Sequence, residues 1–211
     1  MKILALDASA RRRAVTVVAD AGGSLLEERR TTGTGSAEAL LAAIGPLLTG
    51  GVDAVVVAVG PGSYTGVRAA MAIALGLAQA ASIPVHGVGS LEVVAHAAPA
   101  ALPRVRAVAD AGRGAAYIAD YRREGGVLRA ESEPVRVELA AVATPDRPAV
   151  SLDALNLAGV VAHPERAGAA LAAAAAAAVA AAPLDIPRLT QVFVGAGRHQ
   201  RVAGRTPPPR V

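Results

Sequence analysis

The sequence predicts an α/β chain built as two related lobes, and three observations carry that prediction. The first half reads as strands and helices in the order βββαβαβα. The second half opens by repeating the first strand-Asp-turn-strand unit of the chain. Between the most continuously apolar strand and the most apolar helix stands Gly60 to Arg68, GPGSYTGVR, where a tight turn is required.

Taken in order, Lys2 to Leu6 and Ala14 to Ala19 read as strands joined around Asp7-Ala8-Ser9-Ala10-Arg11-Arg12-Arg13. A third strand, Ser24 to Arg30, follows the turn Asp20-Ala21-Gly22-Gly23 and completes an antiparallel meander. Ser36 to Leu48 places leucines and Ile44 at helical spacing, with Ser36 as candidate cap and Pro46 near the end. Asp53 to Val59 is β-branched, continuous and bounded by glycines, the pattern of a fully buried strand. Gly60, Pro61 and Gly62 supply the turn, and Ser63 or Thr65 can cap the helix that follows. That helix, Gly66 to Ala80, has Arg68 and Gln79 as its only polar side chains after the first turn and offers no solvent-facing stripe. It is expected to be covered on two sides. A strand at Pro84 to Val88 and a helix at Ser90 to Ala98 close the half.

Arg104 to Tyr121, RVRAVADAGRGAAYIADY, matches KILALDASARRRAVTVVAD in kind, and Asp110 falls where Asp7 falls. The boundary is placed in Ala97 to Pro103, giving lobes of residues 1–100 and 101–211. Two duplicated βββαβα lobes, the second reduced, outline the actin-like or sugar-kinase-like ATPase fold, in which paired hairpins face each other across a cleft. In the second half, Val127 to Ala130, Pro134 to Glu138 and Ala149 to Leu152 are candidate strands, and Glu165 to Ala182 is a helix by alanine propensity. Thr190 to Val194 reads as a last strand before Gly195-Ala196-Gly197, and the tail from Gly204 is expected to be extended.

Composition narrows the function classes. Hydrophobic residues make up 53% but aromatics only 2%, so the core is packed from Val, Leu, Ile and Ala, and no aromatic platform for single-stranded nucleic acid exists. Zero cysteines remove disulfides and thiolate metal sites and fit a reducing, cytoplasmic setting. The opening MKILALD puts an acid seven residues in and reads as a strand rather than a signal peptide; the alanine run from Ala167 to Leu184 has little drive to enter lipid. A net charge of +4 and a pI near 10.3 suit either an arginine-rich solvated surface or an RNA or acidic partner.

The chemistry-bearing residues are few. Asp7 with Ser9, and Asp110 with Gly112, end strands where members of such folds hold a magnesium-bound phosphate, yet an aspartate there also simply caps its turn. Arg11, Arg12 and Arg13 fill a hairpin in which nucleotide-hydrolysing relatives keep small residues, so hydrolysis is not expected and weak nucleotide binding at Asp7, Ser9, Asp110 and Gly112 stays open. GPGSYTG lacks the Lys-Ser or Lys-Thr ending of a P-loop and the glycines of a nucleophile elbow; a structural turn and an anion-binding helix start both remain readings of it. His86, His96, His163 and His199 form no HExxH or HxxxH pattern, and no metal site or catalytic residue is assigned.

MKILALDAS, the block from Asp53 to Glu92 and AVADAGRGAAYIADY from Ala107 together resemble the TsaB (YeaZ) family, over roughly the first 120 residues. The resemblance implies a non-catalytic, cytoplasmic subunit that binds and stabilises the threonylcarbamoyltransferase TsaD for threonylcarbamoyladenosine formation in tRNA, with a TsaE-like ATPase completing the assembly and tRNA contacted indirectly. It implies no cofactor, no membrane association, and a homodimer when the chain is alone. Its partner surface lies on the first two helices, which here puts Glu38, Leu41, Ser63, Tyr64, Thr65, Arg68, Ala70, Met71, Ile73, Ala74 and Leu77 at the contact. Burying a few hundred Å² of such surface is worth on the order of 10 kcal/mol gross, much of it consumed by association. Cover by the chain's own second half is the competing reading of those helices, and an ATP-dependent kinase or M22-type metallopeptidase of the same fold is the alternative function. Ser36-Ala37-Glu38 stands where relatives show His-Ser-Glu, and PRLTQVFVGAGRHQRV replaces their Tyr-Leu-Arg ending.

Overall fold

A computed structural model describes residues 1–32, 37–142, 147–181 and 183. The candidate cap Ser36, the strand Thr190 to Val194, Gly195-Ala196-Gly197 and the tail lie outside the described residues. The first sheet is built from β1 (Lys2–Asp7), β2 (Arg13–Asp20), β3 (Leu25–Thr32), β4 (Ala54–Ala58) and β5 (Val85–Val88). Their order across the sheet is β3-β2-β1-β4-β5, antiparallel through the meander and parallel from β1 to β4 to β5. The helices are α1 (Ala37–Ile44), α2 (Tyr64–Ala81) and α3 (Ser90–His96). Pro46, placed in the first turn of a 3₁₀ segment over Gly45–Leu48, ends α1 earlier than the leucine spacing predicts.

The second sheet repeats the plan. β6 (Arg104–Gly112) and β7 (Ala115–Glu124) are the counterparts of β1 and β2. β8 (Val127–Ala130) and β9 (Val135–Glu138) pair in succession along β7, and β10 (Ala149–Ser151) and β11 (Val160–Ala162) run parallel beyond β6. At three residues, β11 is too short to show a period, and the sequence pattern does not reveal it. The helix expected from Glu165 begins as a 3₁₀ turn at Pro164–Arg166 and continues as α4 (Ala167–Val179). Among the described residues no counterpart of α1 or α2 covers the outer face of the second sheet. That face is closed instead by Val142, Leu139, Leu155 and Leu157 from connecting segments, so the second lobe is the reduced one.

The two lobes share one core, because each sends its last helix to the other. α3 packs on β6, β7, β8 and β10, while α4 lies across β1 to β5. Tight approach is possible because α4 is nearly all alanine, with Leu171 as its one large fully buried side chain. Arg30 ties the meander to α4 by donating to the carbonyls of Pro164 at 3.0 Å and Glu165 at 2.9 Å, and Arg166 donates to Ala97 O at 2.6 Å. On the second sheet, Arg106 grips Asp120 through two bonds of 2.8 and 2.9 Å and Arg147 adds a third contact at 2.9 Å, holding the Asp120 carboxyl below its usual range.

His96, at the end of α3, is pushed down to about 4, first by burial and then by the neighbouring Arg123 guanidinium. The unfolded chain therefore takes up a proton on this group before the folded one does. Its neutral-state advantage is complete above pH 6.5 and is lost as pH falls toward 4, a cost of about 2 to 3 kcal/mol. Thermal melts of His96→Gln are expected to show a flatter loss of stability over that window than the parent. Leu171→Ala is expected to cost about 3 kcal/mol in denaturant unfolding, since the alanines around it cannot collapse into the void.

Candidate functional site

The turn before α2 is fixed by backbone contacts. Gly60 precedes a cis peptide to Pro61; its N–H donates to Ser90 Oγ at 3.0 Å and its carbonyl accepts from Ser90 N at 2.9 Å. Ser63 is the helix cap, its Oγ accepting from Gly66 N at 3.3 Å, and its own N–H donates to the Ser9 carbonyl at 2.7 Å. Of the two candidate caps, Ser63 has the role and Thr65 faces solvent. Both glycines flanking the cap are required by space. A Cβ on Gly62 would stand 2.7 Å from Ser9 Cβ, and one on Gly66 would press on the Ala8 carbonyl with its carbon 3.2 Å away. The turn and the β1–β2 hairpin are thus one packed unit.

The two hairpins face each other. Asp7 Oδ1 accepts from Ser9 N at 2.9 Å, and Asp110 Oδ1 accepts from Gly112 N at 2.7 Å, so each aspartate caps its own turn. Between them reaches Arg11, whose Nε stands 3.9 Å from Asp110 Oδ2 and whose Cζ would lie 2.8 Å from a Cβ on Gly112. Arg13 bridges to Asp153 at 3.4 Å, and the other oxygen of Asp153 accepts from Asp110 N at 3.2 Å. Asp7 with Ser9 and Asp110 with Gly112 thus form two separate turns, and Arg11 of the first hairpin stands on the glycine of the second. Asp153 is not among the residues that the sequence singles out. Its only signal is SLD at the end of β10, where Asp153 N donates to Ser151 Oγ at 3.0 Å.

The α1–α2 surface divides cleanly. Val67, Ala70, Met71, Ala74 and Ala78 recur at helical spacing and bury α2 on the first sheet. Ala70, Met71 and Ala74 have 0% exposure, so these three of the expected contact residues belong to the core and are closed to a partner. The expectation of cover on two sides is met on one. Tyr64, Thr65, Ala72, Gly76, Gln79 and Ala80 are exposed on the far side, with Arg68, Ile73 and Leu77 half-buried. On α1, Glu38 and Leu41 are exposed, Leu41 by 53%, and Tyr64 by 46%. Arg68 lies over the Tyr64 ring at 4.9 Å and donates to its hydroxyl. The second half does not cover this face among the described residues, because α4 occupies the opposite side of the sheet.

Of the four histidines, His199 lies outside the described residues. His86 is 3% exposed under α4, its Nδ1 has no partner among the described residues, and burial lowers its proton affinity. Among the described residues no group of three or more His, Asp or Glu side chains is placed to hold a metal ion, and no helix is long and apolar enough to cross a membrane.

Gly66→Ala is expected to destabilise the fold by more than about 2 kcal/mol in urea unfolding, because the added methyl meets backbone rather than a movable side chain.

The family model described as TsaD: tRNA N6-adenosine threonylcarbamoyltransferase matches residues 36–197. Among solved structures, YeaZ from Pseudomonas aeruginosa is 24% identical, with 89% of this chain and 97% of that chain covered at a TM-score of 0.70. A Pseudomonas aeruginosa protein described as uncharacterised, with similarity to peptidase YeaZ, is 25% identical, with 87% and 94% covered at a TM-score of 0.68. No curated protein matches the sequence.

Proposed function

Because the chain belongs to the family described as TsaD: tRNA N6-adenosine threonylcarbamoyltransferase, we propose that it serves threonylcarbamoyladenosine formation in tRNA as a docking subunit. In this reading it pairs through the α1–α2 face with a TsaD-like transferase and leaves the transfer itself to that partner. The observation that carries the proposal is the open apolar side of α2 beside exposed Leu41 and Tyr64, lying over a sheet whose other side is already filled by α4. Tyrosine is suited to anchoring, since it brings large area at modest entropy cost, and Leu41 adds apolar area on the same face. The face carries few charges, with Glu38 at one end and Arg68 stacked on Tyr64, so little must be desolvated on contact.

The cleft supports the same reading. Where an active relative of the fold would cradle phosphate, Asp7 and Asp110 commit their carboxylates to their own turns and Arg11 stands on Gly112. A TsaE-like ATPase then joins the assembled complex, tRNA is met as part of that complex in the cytoplasm, and the isolated chain self-pairs through the same face until the transferase displaces it.

Leu41→Glu and Ala72→Glu both place a charge on exposed positions of this face. Each is expected to weaken association with a TsaD-like transferase at least tenfold in titration calorimetry, with the melting temperature within a few degrees of the parent. Unchanged association in both variants would overturn the docking proposal.

A further inference from the structure

The arginines of this chain are unevenly used. Several are held by carboxylates, Arg106 and Arg147 by Asp120, Arg104 and Arg122 by Glu131, Arg29 by Glu27 and Arg30 by Glu28, and Arg123 of β7 donates to the Gly126 carbonyl. Around the Gly112 turn the pattern is different. Arg136 donates from Nη2 to Gly112 O at 3.3 Å, Arg11 stands on the same glycine, and Arg113 follows it in the chain. Neither Arg12 nor Arg113 has a carboxylate within ion-pair distance among the described residues, and both are exposed; Arg136 has none either. Arg11 reaches Asp110 only at 3.9 Å and keeps 55% of its side chain in solvent. The acids nearby are committed: Asp7 and Asp110 to turn amides, Asp153 to Arg13, while Glu138 stands opposite Ala115 in the ladder.

Arg113 adds a second, independent observation. Arg113 and Gly114 form a two-residue hairpin with φ of 54° and 74°, the type I′ conformation that favours Asn-Gly. A long charged side chain at the first of these positions costs backbone energy that asparagine or glycine would not. The turn nevertheless carries an exposed arginine one residue beyond Gly112, the glycine that Arg11 of the facing hairpin meets, and Arg12 follows Arg11 in the chain.

We infer that the paired hairpin tips, with Arg11, Arg12, Arg113 and Arg136, form a docking surface for the phosphodiester backbone of RNA. The inference rests on the role in tRNA modification proposed above, and it names the part of this chain that meets the nucleic acid. Guanidinium groups suit phosphate oxygens through paired N–H donors, and such contacts position an RNA without reading its bases. That agrees with a chain holding only one Phe and three Tyr for base stacking. The patch is also continuous with the docking face. Ser63 N bonded to Ser9 O sets the start of α2, with Tyr64 and Arg68, against the arginine hairpin, so an RNA lying on the tips passes the edge of a partner seated on α1 and α2.

The test is fluorescence anisotropy of an unmodified tRNA titrated with the full chain, alone and with its transferase partner, over a series of salt concentrations. The parent is compared with the combined variant Arg12→Ala, Arg113→Asn, Arg136→Ala, in which asparagine preserves the hairpin turn. Removing one arginine–phosphate pair lowers the slope of log affinity against log salt by roughly 0.7 to 0.9. The expected result is a slope smaller by about 2, affinity at least tenfold weaker near physiological salt, an unaltered melting temperature and unaltered pairing with the transferase. An unchanged slope and affinity in a folded variant overturns the inference, as does equal weakening toward an acidic protein with no tRNA binding by the parent. If the parent binds tRNA through these arginines but does not pair with the transferase, the docking proposal fails and this one stands.

Discussion

The close approach of the GPGSYTG turn to the β1–β2 hairpin is the constraint on which the rest depends. Gly62 against Ser9 and Gly66 against Ala8 leave no room for a side chain, and the Ser63 N–H to Ser9 carbonyl bond fixes the distance. From that contact α2 starts at one defined point over the sheet, which settles which of its faces is buried. The same contact holds the hairpin so that Arg11 meets Gly112 of the other lobe. A local rule about glycine and space thereby sets the geometry of both surfaces that bear on function.

Much of this was legible in the sequence. The strand-Asp-turn-strand repeat pointed to the duplicated sheets, because a period of that length survives even when individual residues change. Continuous β-branched runs marked β4 with its five fully buried residues. What could not be read was direction. The apolar letters of α2 are nearly uniform, so nothing in them separates the buried Ala70, Met71 and Ala74, which the resemblance assigns to a partner, from the residues of its open side. In a helix of alanine and leucine the inward stripe is chosen by the sheet beneath it rather than by a hydrophobic contrast along it. The role of Asp153 was hidden for a related reason: its contacts to Arg13 and Asp110 N span more than forty residues, and no local spacing encodes them.

The two aspartates of the repeat are used in the same local way. Asp7 is the last residue of β1 while β6 runs two residues past Asp110, and each carboxylate accepts from the amide two residues on. Three consecutive arginines in the first hairpin then put positive charge beside the turn of the second. The half-buried pair of Arg13 with Asp153 ties one lobe to the other, and the more exposed Arg11 only reaches toward Asp110.

The exchange of helices between the lobes also bears on how the chain comes to be assembled. During synthesis β1 to β5 emerge long before α4, so the sheet face destined for that alanine helix stands bare until most of the polypeptide has left the ribosome. The meander is therefore an early framework that waits for its lining, and neither lobe is a free-standing unit of cooperativity.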